Sequence, residues 1–414
     1  VARQEHGSAA AAGFKLRLAV AAPLSQPGLV LDPYNFRLFA NPRAGVPGTV
    51  VLPAGGFRRA SAEITAWPDY APTPLRDLPA IAAAAGVGVL RLKDEAERFG
   101  LGSFKALGGA YAVARLLIAE LARRGVGPAA SSADLRAGRY AETTRAITVT
   151  CATDGNHGRS VAWGAQRFGC WCVIFIHHTV SQARADAIAR YGAELRREPG
   201  TYDDAVREAA RVAAAEGWLL ISDTSWPGYS SVPVLVMQGY RLIADEAADQ
   251  WHGAPPTHVF VQGGVGGLAA AVSVHLRTRH APAPRLVVVE PDRAACLLAS
   301  AELGSPTAIP GDLDTVMAGL ACGQPSLLAW AELERAAAAF MAVPDAAAID
   351  CMKLLAGEGI VAGESGAAGL AGFLLAAADP AARAALGLGA DSRVLLFNTE
   401  GATDPALYRR LVQG

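Results

Sequence analysis

Residues 258–267 read His258-Val-Phe-Val-Gln262-Gly263-Gly-Val-Gly-Gly267. A short β-forming run passes straight into four glycines within five positions, and an apolar helical pattern follows to about His280. A strand that ends in glycines and opens a helix is the repeating unit of an α/β fold. Glycines at that junction let backbone N–H groups approach an anion, and the helix N-terminus adds favourable partial charge. A tight turn alone does not need so many glycines. A phosphate is therefore expected at Gly263, Gly264, Val265, Gly266 and Gly267.

The same alternation extends on both sides. Strands are expected at Gly88–Lys93, Ala146–Thr150, Cys172–His177, Ala193–Arg196, Trp218–Ile221, Arg285–Glu290 and Arg393–Phe397. Helices are expected at Ser103–Arg124, Arg159–Phe168, Ser181–Tyr191, Tyr202–Glu216, Val232–Asp249, Asp345–Glu358 and Gly366–Ala377. Strands separated by helices imply βαβ units and parallel sheets. Residues 1–80 carry many prolines and are expected to be irregular, wrapping the surface with short strands.

The chain has 414 residues, a formal net charge of −1, 52% hydrophobic residues and 18% charged ones. That length suggests two or three domains. The low charge excludes a disordered chain, and the balance of signs argues against nucleic-acid and anionic-membrane partners. Val1–Gly13 shows no basic segment followed by an apolar stretch, and no apolar run reaches the length of a membrane span. A cytoplasmic enzyme is expected. Six cysteines without a C-x-x-C pair support no zinc or redox motif, and His177-His178 has no further ligand at suitable spacing, so no metal is expected.

Three further loops carry chemistry. Gly100-Leu-Gly-Ser-Phe-Lys105 opens a helix, where the dipole disfavours an ammonium and suits a nucleophilic amine. Lysine is scarce: Lys15, Lys93, Lys105 and Lys353 are the full set, and Lys105 alone sits in a Gly/Ser-rich junction. Thr153-Asp154-Gly-Asn156-His157-Gly158 follows a strand and can contact a polar ligand or simply form a capped turn. Asn398-Thr399-Glu400-Gly401 also follows a strand. A rival reading takes Gly264 to Ala269 as a dinucleotide fingerprint, with Glu290 on a ribose, in a nicotinamide-dependent oxidoreductase.

Ser103-Phe-Lys-Ala-Leu-Gly-Gly-Ala-Tyr111, Ala152-Thr-Asp-Gly-Asn-His-Gly158 and the glycine loop, in that order, resemble fold-type II pyridoxal-phosphate enzymes. Ser222-Asp-Thr-Ser-Trp226, Met317-Ala-Gly-Leu-Ala-Cys-Gly323, Gly363-Glu-Ser-Gly366 and Asn398-Thr-Glu-Gly401 narrow the resemblance to the diaminopropionate ammonia-lyase family. Serine/threonine dehydratases usually have Arg-Gly-Ala after the lysine and Ser where Asp154 stands.

The resemblance implies two open, twisted, mostly parallel sheets flanked by helices, with the active site between a large domain (1–115 and 260–414) and a small one inserted in it (116–259). It implies that Lys105 holds pyridoxal 5'-phosphate, that residues 263–267 bind its phosphate, and that Asn156 and Thr399 contact its ring. Lys105, Asp154 and Asp223 are the implied catalytic residues, with Asp154 a second base for a D substrate. Ser103, Thr153, Asp154, His157 and Asp223 are the implied substrate contacts. The implied reaction is elimination from 2,3-diaminopropionate, giving pyruvate and two ammonia. A dehydratase-like lyase on another β-substituted amino acid is the alternative within the class, and a non-catalytic binding protein is a third reading. A homodimer and a Cys296–Cys322 disulfide are compatible with the resemblance, the latter no more than two reduced thiols.

Overall fold

The computed structural model describes residues 16–17, 34–153 and 155–413. Its larger sheet has eight strands in the spatial order Leu16–Arg17, Arg37–Ala40, Ala337–Val343, Arg285–Pro291, His258–Gln262, Arg393–Asn398, Val89–Asp94, Leu75–Asp77. The five strands from Ala337–Val343 to Val89–Asp94 are parallel; the outer ones join antiparallel. The smaller sheet has four parallel strands, Glu194–Glu198, Trp171–His177, Thr148–Thr153 and Leu219–Leu220. This is the expected α/β architecture of two mostly parallel sheets flanked by helices.

Buried parallel strands need helices on both faces. The fully enclosed strand His258–Gln262 has that cover. Helix Ala368–Ala378 packs directly against it, and helix Gly267–Arg279 also touches it. Helix Ser231–Gln250 lies between Gly267–Arg279 and Ala106–Arg123, and Ala106–Arg123 in turn meets Asn156–Phe168 beside the smaller sheet. The helix at Ala106–Arg123 thus couples the lysine loop to the small sheet. Glycines on it and on Ser231–Gln250 let these two helices approach closely: a Cβ on Gly239 would fall 1.9 Å from Leu107 O, and one on Gly108 would fall 2.4 Å from the Tyr240 ring.

The proline-rich start supplies short strands as expected, Arg37–Ala40 among them, but it is not otherwise irregular: Ala54–Ile64 is a helix with Ala60 and Ile64 buried. Pro53 caps that helix and Pro68 lies beyond its end, so the prolines bracket the element rather than break it. Ala337–Val343 is also a strand, although its sequence Ala-Ala-Ala-Phe-Met-Ala-Val has no alternation. Enclosed on both faces, it needs none. Among the described residues no single helix is long and apolar enough to cross a membrane.

Candidate active site

The carboxyl ends of both sheets open onto one cavity of about 810 Å³ of empty space. Ligands in open α/β sheets bind at such strand ends. The large sheet contributes Gln262 and the glycine loop, together with Thr399 and Glu400 after Asn398; the small sheet contributes Thr153, Asn156 and His157. Lys105 stands between them, immediately before the helix Ala106–Arg123.

Lys105 Nζ donates to Asp223 Oδ2 at 2.6 Å, with the two side chains 18% and 7% exposed. Burial pushes the Asp223 carboxyl up, but His157 and Lys105 overcome it and hold it well below the usual carboxylate range. His157 Nε2 lies 2.8 Å from Ile221 O, which fixes the ring with Nδ1 3.7 Å from Asp223.

The Asn156 amide is held at both ends. Its Nδ2 donates to Glu400 Oε2, and its Oδ1 accepts from Arg159 at 2.6 Å. Thr153 Oγ1 accepts the N–H groups of Gly155 and Gly158, both at 2.9 Å, and so braces the turn while lining the cavity. Gly158 has to be glycine, because a Cβ would lie 2.4 Å from Thr153 Cγ2. Asp154 lies outside the described residues.

Gly264, Val265, Gly266 and Gly267 line the cavity. Gly266 has φ +95° and immediately precedes the helix Gly267–Arg279, a conformation that favours glycine. Gly263 differs from expectation: its N–H is committed to Val289 O at 2.8 Å and its α-carbon packs on Val288 and Leu297. Ser103 is also not in the cavity wall. It is buried and forms a backbone bridge with Glu400. No disulfide joins Cys296 and Cys322.

The ribose-binding reading of Glu290 is excluded by its surroundings. The carboxylate is buried and accepts the N–H groups of Leu297 and Leu298, each at 2.7 Å, at the start of helix Cys296–Leu303. Burial raises it to about 8 despite those bonds.

Tyr202, Tyr240 and Gln262 line the cavity without having been singled out in the sequence, and Ser365 and Glu400 line it from motifs that were quoted without a role for either. Gln262 and Glu400 did carry a signal, being polar residues at or just past strand ends. Tyr240 carried none, since an aromatic at helical spacing reads as core.

The profile of the pyridoxal-phosphate dependent enzyme family matches residues 66–400. The chain is 40% identical over 359 residues to a diaminopropionate ammonia-lyase of Escherichia coli K12, covering 83% of this chain and 87% of that protein. The chain belongs to the diaminopropionate ammonia-lyase family. The crystal structure of the holo Escherichia coli diaminopropionate ammonia-lyase superposes with a TM-score of 0.84 at 36% identity, covering 92% of this chain and 97% of that one. By contrast, a biosynthetic threonine dehydratase of Salmonella typhimurium matches at 29% over 169 residues, 41% of this chain and 31% of that protein.

This family member is a pyridoxal-phosphate-dependent lyase, and its cavity fits that cofactor. Gly264 approaches Gly319 O and Cys322 Sγ so closely that a Cβ would lie 3.2 and 3.3 Å from them, leaving backbone as the lining. Thr399 Oγ1 accepts from Gln262 Nε2 at 3.3 Å, which leaves its own O–H to donate toward a ring nitrogen.

Proposed function

We propose that the enzyme eliminates ammonia from 2,3-diaminopropionate, of either or both configurations, and releases pyruvate and a second ammonia after one water is added. Membership in the diaminopropionate ammonia-lyase family supports the substrate. The observation that carries the chemistry is the Lys105–Asp223 pair facing a glycine-lined cavity.

Pyridoxal phosphate, when bound, supplies the electron sink that accepts charge from the α-carbon. In our reading Gly264 to Gly267 hold its phosphate through backbone N–H groups at the helix start. Asn156, oriented by Arg159 and Glu400, would hydrogen-bond its phenolic oxygen, and Thr399 would offer its ring nitrogen a neutral hydroxyl. Lys105 would anchor it, and as a free amine beside the α-carbon would take the α-proton of the L isomer as general base. Asp223 stays ionised and stabilises the ammonium that Lys105 becomes. It also attracts the amino groups of a substrate with two of them. Departure of the β-ammonium then relieves the charge at the α-carbon.

The D isomer presents its α-proton to the opposite face, which one lysine cannot serve. We assign that second base to Asp154. Loss of D turnover with L turnover retained in Asp154→Asn is the expected result; unchanged D turnover sinks the assignment.

The deciding assay is pyruvate release from D- and L-2,3-diaminopropionate beside D- and L-serine. Pyruvate from serine alone would establish the dehydratase-like alternative. We further propose residues 116–259 as an inserted lobe, a homodimer, and a cytoplasmic location; limited proteolysis, sedimentation and cell fractionation check these in turn.

A further inference from the structure

A second cavity, of about 960 Å³ of empty space, abuts the first. Val265 lines both. Three chain segments form the wall between them, each giving neighbouring residues to the two sides. Tyr202 faces the inner cavity and Asp203 the outer; Asp223 the inner and Thr224 the outer; Cys322 the inner and Gln324 the outer. The outer cavity thus shares a wall with the lysine site.

Asp203 is the one carboxylate in its lining. It sits in the first turn of helix Tyr202–Glu216 and is half-buried. A Cβ on Gly323 would lie 3.0 Å from its Oδ2, so it reaches across from the small-sheet side to the loop that carries Cys322. No hydrogen bond or ion pair engages its carboxylate among the described residues. Its neighbour Asp204 is differently employed: it closes a capping box with Thr201 and pairs with Arg207 at 2.5 Å. Burial pushes the Asp203 carboxyl up and the nearby Arg207 charge opposes the rise, while its oxygens keep acceptor capacity toward the cavity.

We propose that the outer cavity serves as an antechamber to the lysine site and that Asp203 is its specificity-determining residue, receiving the second ammonium group of a diamino acid on its way to Lys105. Arg207, in the same lining, is taken up by Asp204 and supports the Asp203 charge from nearby. A carboxylate here matches the second ammonium of a diamino acid and gives a neutral side chain such as that of serine nothing to bind at Asp203. The role is distinct from that of Asp223, which acts inside the reacting cavity. It rests on the activity proposed above.

The test uses the holoenzyme and its Asp203→Asn and Asp203→Glu variants. One arm measures kcat/KM for 2,3-diaminopropionate at low and high salt. The other measures serine affinity through the change in cofactor absorbance. Asp203→Asn is expected to lower kcat/KM for the diamino acid about five- to tenfold at low salt, with the gap narrowing at high salt. Serine affinity is expected to move less than about twofold, and Asp203→Glu to recover most of the loss. An equal loss on both compounds, or none on the diamino acid, overturns the proposal. A wild type inert toward diaminopropionate overturns the activity reading itself, and this proposal with it.

Discussion

Lys93 and Lys105 each end on a carboxylate oxygen at 2.6 Å, yet their surroundings differ in one respect. Around Lys93 every donor is consumed. Its Nζ meets Glu246, Thr73 O at 2.5 Å and Gln250 Oε1 at 3.1 Å, with the side chain wholly enclosed. Arg98 completes the cluster with two bonds to Glu95 and two to Glu246. Burial lowers the Lys93 pKa, and the charge of Glu246 opposes the fall. Around Lys105 the pair borders empty space instead. A saturated ion cluster fixes the chain between Thr73 and helix Ser231–Gln250. A lysine beside a cavity is left able to exchange one partner for another, which covalent chemistry requires.

The comparison breaks most sharply if the two lysines prove interchangeable in effect. Lys105→Ala is expected to cut turnover by about 10⁴-fold and to abolish borohydride trapping at that peptide, with the fold intact by circular dichroism. Trapping that persists at another lysine refutes the cofactor assignment. Lys93→Met leaves Glu246 with one cation fewer and is expected to cost about 3–5 kcal/mol of stability in denaturant titrations. Molecules that remain folded should keep near-normal kcat. Asp223→Asn is expected to lower kcat about 10²-fold. Because the native Asp223 carboxyl lies well below the usual carboxylate range, its ionised form persists through mildly acid pH. An acid limb of the rate profile near pH 4 would therefore belong to another group.

The smallest effect concerns Glu290. Its folded pKa of about 8 lies above the ordinary value of 4.5, so the fold favours the protonated form. The stability this gives is full below the ordinary value and is lost as pH rises toward 8. The thermal midpoint should fall by a few degrees over that window, and Glu290→Gln should flatten the slope. An unchanged slope in the variant would place the effect elsewhere.

Much of this was readable beforehand where local pattern and tertiary need agree. The strand His258–Gln262, the helix Tyr202–Glu216 and the loop segments at Lys105, Asn156, Gly264 and Thr399 all follow from apolar periodicity interrupted by glycine. The helix Ala54–Ile64 was hidden because prolines flank it, and the strand Ala337–Val343 because alanine-rich sequence suits either state. Gly263 and Ser103 have the right composition for a binding loop, but backbone bonds turn them inward. Tyr202 and Asp203 read as the start of a helix. Only the juxtaposition of the two sheets brings them to the site.

The lysine loop and the loop after strand Arg393–Asn398 are sewn together by main chain. Phe104 N–H bonds Thr399 O at 3.2 Å, and Gly401 N–H bonds Gly102 O at 2.9 Å on either side of the Ser103–Glu400 bridge. The seam has a consequence for anyone exchanging parts between relatives. A lysine loop transplanted from a dehydratase would keep its distance from Thr399 only if its backbone repeats the path that makes both bonds. The two segments, nearly 300 positions apart in the chain, have to be inherited as a matched set.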